Sequence, residues 1–227
     1  MISLPLVYTI LALVAYTSSF WYLFLRLMSK RAPNLYAYGL MIGLGLALHA
    51  AVLYPDMITP LGVNYNVFNL LSFTSGLMLA LCLIFSLIRP ILPLNLIGTP
   101  VAAAGLILGF AFSQPSQAIA RYSFGLDLHI ILSLSAYAVL LMATIHALLL
   151  WFQDRELKKK QKTRLLVNLL PPFQVMESLL FDLIITGFGL LTAALLFGFF
   201  TIDNFFAQHL AHKTVLSIIS WFLYGAL

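Results

Sequence analysis

The chain has 227 residues, is 62% hydrophobic and only 8% charged, and carries a net charge of +5 with a mean hydropathy of +1.02. Soluble domains average roughly 25% charged residues, so this composition describes an integral membrane protein rather than a soluble domain. The single cysteine, Cys82, lies inside an apolar run and excludes a disulfide framework, a CxxC redox pair and a CxxCH haem-attachment site.

A bilayer-spanning helix needs about 20 predominantly apolar residues. Seven segments meet or approach that length, at roughly 4–27, 35–54, 67–88, 91–112, 128–153, 173–200 and 214–227. The expected fold is therefore all-α, a polytopic transmembrane helix bundle forming one domain over 1–227. The first segment lacks a basic leader and is too long for a signal peptide, so it is a retained helix. The second closes at Pro55-Asp56 and the third at Arg89-Pro90. The fourth contains Pro93 and Pro100, and the sixth is entered through Pro171-Pro172. The seventh covers only ~20 Å at ~1.5 Å per residue, short of a ~30 Å hydrocarbon core. The expectation is that the chain continues beyond Leu227 and reaches eight spans.

Charge fixes an expected orientation. The loops after the first, third and fifth segments hold Arg26, Lys30, Arg31, Arg89, Arg155, Lys158, Lys159, Lys160, Lys162 and Arg164, ten of the twelve basic residues. The opposite loops hold Arg121 and Lys213. By the positive-inside rule the N-terminus is outside and the basic loops are cytoplasmic. This segregation is a topology signal and not a nucleic-acid surface. The Lys158–Lys162 cluster also suits anionic lipid headgroups.

Ionisable groups at membrane depth are costly, so each histidine is a functional candidate. In the expected topology His49 lies in the outer third of the second helix and His129 opens the fifth at its outer end. His209 and His212 precede the seventh on the same side. His146, about 25 Å deeper than His129 along a helix, falls in the inner half and is read as packing. His49 follows Gly39, Gly43, Gly45 and Ala47, a run of small residues suited either to helix packing or to a flat ligand. His129 shares a face with Ser133, Ala136 and Tyr137; it is either a ligand or an interfacial marker beside Asp127. His209 and His212, spaced i, i+3 with Asp203 nearby, are either a metal pair or part of a solvated loop. Glu177 and Asp182 are expected to complement the dipole at the start of the sixth helix. No nucleotide loop, nucleophile elbow or HExxH helix is present, so no independent catalytic activity is expected.

Three stretches carry a resemblance: LHIILSLSAYAVLLMATIHALLLWFQDRELKKK, PPFQVMESLLFDLIITGFGLLTAALLFG and HKTVLSIISWFLYGAL. Together they resemble the cytochrome c assembly family, haem-handling membrane proteins of the CcsA/CcmC type. Within it they are most similar to the YpjD-like branch, related to HemX-type proteins. The resemblance implies that His49 and His129 correspond to histidines that ligate haem iron near the outer face. Haem b is the implied cofactor, with His212 as a reserve ligand and a further ligand histidine expected beyond Leu227. Family members of the delivery type carry a WGxxWxWD-like outer loop. The corresponding stretch here, TIDNFFAQHLAHK, has Phe205 and Phe206 but no tryptophan. The resemblance therefore implies haem binding within the bundle more than haem delivery. It also implies a bacterial inner-membrane protein whose partners are lipids, haem-delivery or cytochrome-assembly proteins, or a larger membrane complex, with no nucleic acid. Two alternatives stand beside it: a non-catalytic accessory subunit that keeps the fold without haem, and a small-molecule permease hinted at by Pro93 and Pro100.

Overall fold

The computed structural model describes residues 3–60, 62–88, 92–112, 119–120, 124–158, 170–201 and 211–227. Its helices are α1 (Leu4–Met28), α2 (Leu35–Met57), α3 (Val67–Ile88), α4 (Asn95–Ala111), α5 (Phe124–Lys158), α6 (Phe173–Thr201) and α7 (Ala211–Gly225). A 3₁₀ turn, Leu92–Leu94, leads into α4. Among the described residues six helices are long and apolar enough to cross a membrane, counting α4 with its leading turn. The apolar part of α7, Thr214–Gly225, is shorter. The fold is thus an all-α polytopic bundle.

Local chemistry explains the helix starts. Pro5 sits in the first turn of α1, where its missing N–H costs nothing. Asn34 caps α2, its side chain accepting from the backbone N–H groups of Tyr36 and Ala37 at 3.0 and 3.2 Å. Asn66 caps α3 by accepting from Phe68 N–H at 2.9 Å. The expectation for Glu177 and Asp182 is corrected: α6 begins at Phe173 and has no acidic residue in its first turn. The dipole's effect falls off within that turn.

Two helices outrun their expected ends. Helix α2 passes through Pro55 and ends at Met57. So close to the terminus, the proline removes only one hydrogen bond. The carbonyl of Asp56 accepts from the side-chain amides of Asn64 and Asn69 at 3.1 and 3.3 Å, which ties the end of α2 to the start of α3. Helix α5 has 35 residues, about 52 Å, longer than a hydrocarbon core. Its C-terminal turns are polar, with Lys158 paired to Asp154 at 2.6 Å.

A small antiparallel sheet departs from a purely helical picture. Strand β1 (Ile58–Thr59) pairs with β2 (Gly62–Asn64), which pairs with β3 (Ile119–Ala120). Gly62 enters β2 at φ 146°, a backbone conformation that L side chains rarely adopt. The sheet fastens the α2–α3 junction to the segment just before α5, and so helps set where His129 begins.

Among the described residues three apolar clusters form the core, a small one around Ala136, Leu140 and Leu191 and two larger ones that share α3. On one side Leu79 packs with Tyr16, Tyr38, Ile42, Ala102 and Leu106 from α1, α2 and α4. On the other, Met78 and Cys82 pack with Val139, Met142, Leu179 and Leu183 from α5 and α6.

Candidate functional site

His49 is 3% exposed and is held from two helices. Its Nδ1 lies 3.0 Å from the Tyr16 hydroxyl on α1, and its Nε2 lies 2.8 Å from the Ser72 hydroxyl on α3. A hydroxyl can donate or accept, so these partners suit either neutral tautomer. The Tyr16 ring reaches this position because residue 45 is glycine. A Cβ there would lie 2.5 Å from Tyr16 Cε1. By contrast, a Cβ at Gly39 or Gly43 would meet no described atom within 4 Å, so those two small residues pack against nothing described. A groove of about 180 Å³ opens between α2 and α3 beside His49, lined also by Leu46, Ser72, Phe73 and Gly76. Ser72 is the polar partner on that side.

His129 is half-buried between α5 and α6. Its Nδ1 lies 2.7 Å from the carbonyl oxygen of Ala194. A carbonyl only accepts, so Nδ1 carries the proton. In the neutral imidazole the lone pair is then on Nε2. The ring lies close over Gly198, one turn beyond Ala194, where a Cβ would come within 2.8 Å of its Cε1. One residue pair links this helix start to the other half of the bundle: the Tyr65 hydroxyl donates to the Asp127 carboxylate at 2.5 Å. Burial, and then the Asp127 carboxylate, raise the Tyr65 phenol above its usual range.

The structure holds His49 and His129 through separate helix sets, α1–α3 for the first and α5–α6 for the second. His146 is 1% exposed and donates from Nε2 to the carbonyl of Met176 at 2.7 Å. His209 and Asp203 lie outside the described residues, as does the side chain of His212, whose backbone opens α7. Among the described residues no group of three or more His, Cys, Asp and Glu side chains is placed to hold a metal ion. The helix–helix partners of His49 escaped the sequence reading. The available signal was a cluster of polar residues in each apolar run, Tyr16–Ser19 in α1 and Asn69, Ser72, Thr74 and Ser75 in α3.

Comparison with known proteins gives a consistent picture. The model of the family described as "Cytochrome C assembly protein" matches residues 4–227. The chain is 32% identical to "Inner membrane protein YpjD" of Escherichia coli strain K12, over 96% of this chain and 83% of that protein. It is also 34% identical to an "Uncharacterized 28.8 kDa protein in nifR3-like 5'region" of Azospirillum brasilense, over 45% of this chain and 38% of that protein. No solved structure gives a significant match. With a family model covering nearly the whole chain, this protein belongs to the cytochrome c assembly protein family.

Proposed function

We propose that this protein is a haem-binding member of its family that holds a b-type haem through His129 and His49 near the outer face of a bacterial inner membrane. The observation that carries the proposal is the His129–Ala194 hydrogen bond. It presents an oriented imidazole with its lone pair on Nε2, and a carbonyl on the distal nitrogen makes a ligating imidazole more basic. Non-covalent attachment fits the chain, which has one cysteine and no CxxCH motif. When bound, the haem supplies an iron centre whose properties follow its axial ligands and their surroundings.

His49 fits the role under one condition: a nitrogen must be released. Ser72 is the partner that can leave, because a helical serine readily turns its hydroxyl to a carbonyl one turn back. Ser86 and Thr74 already do so in this bundle, at 2.7 Å each. Tyr16 would then keep Nδ1 and orient the ring. His212 remains a reserve ligand. The orientation proposed is N-terminus outside and basic loops cytoplasmic, supported by the distribution of lysine and arginine. The inner-membrane assignment is supported by the name of the Escherichia coli relative. Partners would be lipids and haem-delivery or cytochrome-assembly proteins.

A second reading, a haem-free accessory subunit, is favoured by one fact: both nitrogens of His49 already have protein partners. Haem quantification separates the two. After expression with ample haem, the detergent-purified protein is expected to retain stoichiometric haem. Haem-free protein that still co-purifies with a membrane partner would overturn the first reading in favour of the second.

A further inference from the structure

The inner half of the bundle contains a cluster of soft donors that the haem reading does not use. Cys82 Sγ on α3 lies 2.9 Å from Met142 Sδ on α5. His146, one turn after Met142, lines the same cavity. Its Nε2 is spent on the Met176 carbonyl, so its Nδ1 carries the lone pair, and this buried atom has no hydrogen-bond partner among the described residues. Cys82, Met142, Met78 and His146 all line one cavity, with a volume of about 10 Å³. That is about the size of one small sphere.

From this juxtaposition we infer a binding site for a single soft monovalent metal ion of the Cu(I) class, held by the Cys82 thiolate, the Met142 thioether and His146 Nδ1, with Met78 completing the wall. Three arguments select the ion. Thiolate and thioether donors prefer Cu(I) over hard cations. A monovalent ion with one thiolate is neutral overall, whereas a divalent ion in the same set would leave a net charge deep among apolar side chains, where charge is costly. The cavity admits one ion and no organic ligand. Binding replaces the thiol proton: Cys82–SH and the metal ion give the metal thiolate and release one proton, with no change in oxidation state. The sulfurs must swing apart around the ion, and an unbranched methionine allows this.

Cys82 is the only cysteine, so a thiol-dependent signal reports this site alone. The test uses the purified full chain with Ag(I), a redox-inert stand-in, and with Cu(I) in competition with a chromogenic chelator. The wild type is expected to retain one ion per chain and to unfold at a higher temperature when loaded. Met142→Leu, close in volume, should weaken retention by at least about tenfold, the scale on which altered coordination shells act. Cys82→Ser should abolish it while leaving the metal-free unfolding temperature and elution volume near wild type. Should either variant fail to fold, His146→Gln supplies the second comparison. Retention unchanged in Cys82→Ser, no retention by the wild type (a cavity that holds only water), or equal retention of Zn(II) would each overturn the inference. The haem spectrum is a separate readout and does not bear on it.

Discussion

His129 and Ala194 are joined across two helices by a 2.7 Å hydrogen bond from imidazole Nδ1–H to a backbone carbonyl. A main-chain acceptor cannot rotate away or change protonation, so the tautomer is fixed by the fold. Gly198 provides the room for this. In Gly198→Ala the added Cβ would fall 2.8 Å from Cε1 and 2.9 Å from Nδ1 of the ring. The ring must shift, and overpacking of this kind costs roughly 1–3 kcal/mol. The expected result is a lower unfolding temperature together with a weakened or displaced haem absorbance. A variant with wild-type stability and spectrum would contradict the role given to this contact.

Ser72→Ala separates the structural role of His49 from its proposed ligand role. The variant removes the partner of Nε2 at 2.8 Å. Hydrogen bonds within membranes are worth about 0.6 kcal/mol on average and up to about 1.7. Apo-protein stability should fall by that order, read by thermal unfolding in detergent. Haem content should hold or rise, because the nitrogen is freed. Loss of haem in this variant would mean that Ser72 supports the site rather than blocking it.

Tyr65 and Asp127 give a pH prediction. The Tyr65 phenol is raised above its ordinary value of 10.0 because it is partly buried and faces a carboxylate. For an acid whose folded value is raised, the stabilisation is fully present below the unfolded value and is lost as pH rises from there through the folded value. Wild-type stability should therefore decline above about pH 10 more steeply than that of Tyr65→Phe, measured by unfolding at graded pH. Parallel slopes would dismiss the contact.

The Lys158–Asp154 pair should matter little. Its side chains are 74% and 40% exposed. Exposed pairs spaced i, i+4 contribute about 0.3–0.5 kcal/mol. Asp154→Asn is expected to leave the unfolding temperature almost unchanged, and less affected still at high salt.

Much of the helical framework was legible because long apolar runs leave few alternatives in a bilayer. The ends were less so. Helix α5 continues past Gln153 through DRELK, a polar stretch of helix that hydropathy does not mark. The strands were illegible, since two or three residues carry no alternation. The expected outer position of His49 rests on helix direction and loop charge alone. Its partners did not, because a sequence does not say which helices face each other. Gly45 shows the limit well. In the sequence it is one small residue near His49; in the fold it admits the Tyr16 ring. Gly39 and Gly43, in the same row of small residues, meet no described atom within 4 Å of an added Cβ.

The most direct test of the haem proposal is the absorbance spectrum of detergent-purified protein, oxidised and reduced, for the wild type, His129→Ala and His49→Ala. The account predicts a Soret band that sharpens and shifts on reduction in the wild type, is lost in His129→Ala, and is weakened or shifted in His49→Ala. Identical spectra for all three proteins would contradict it.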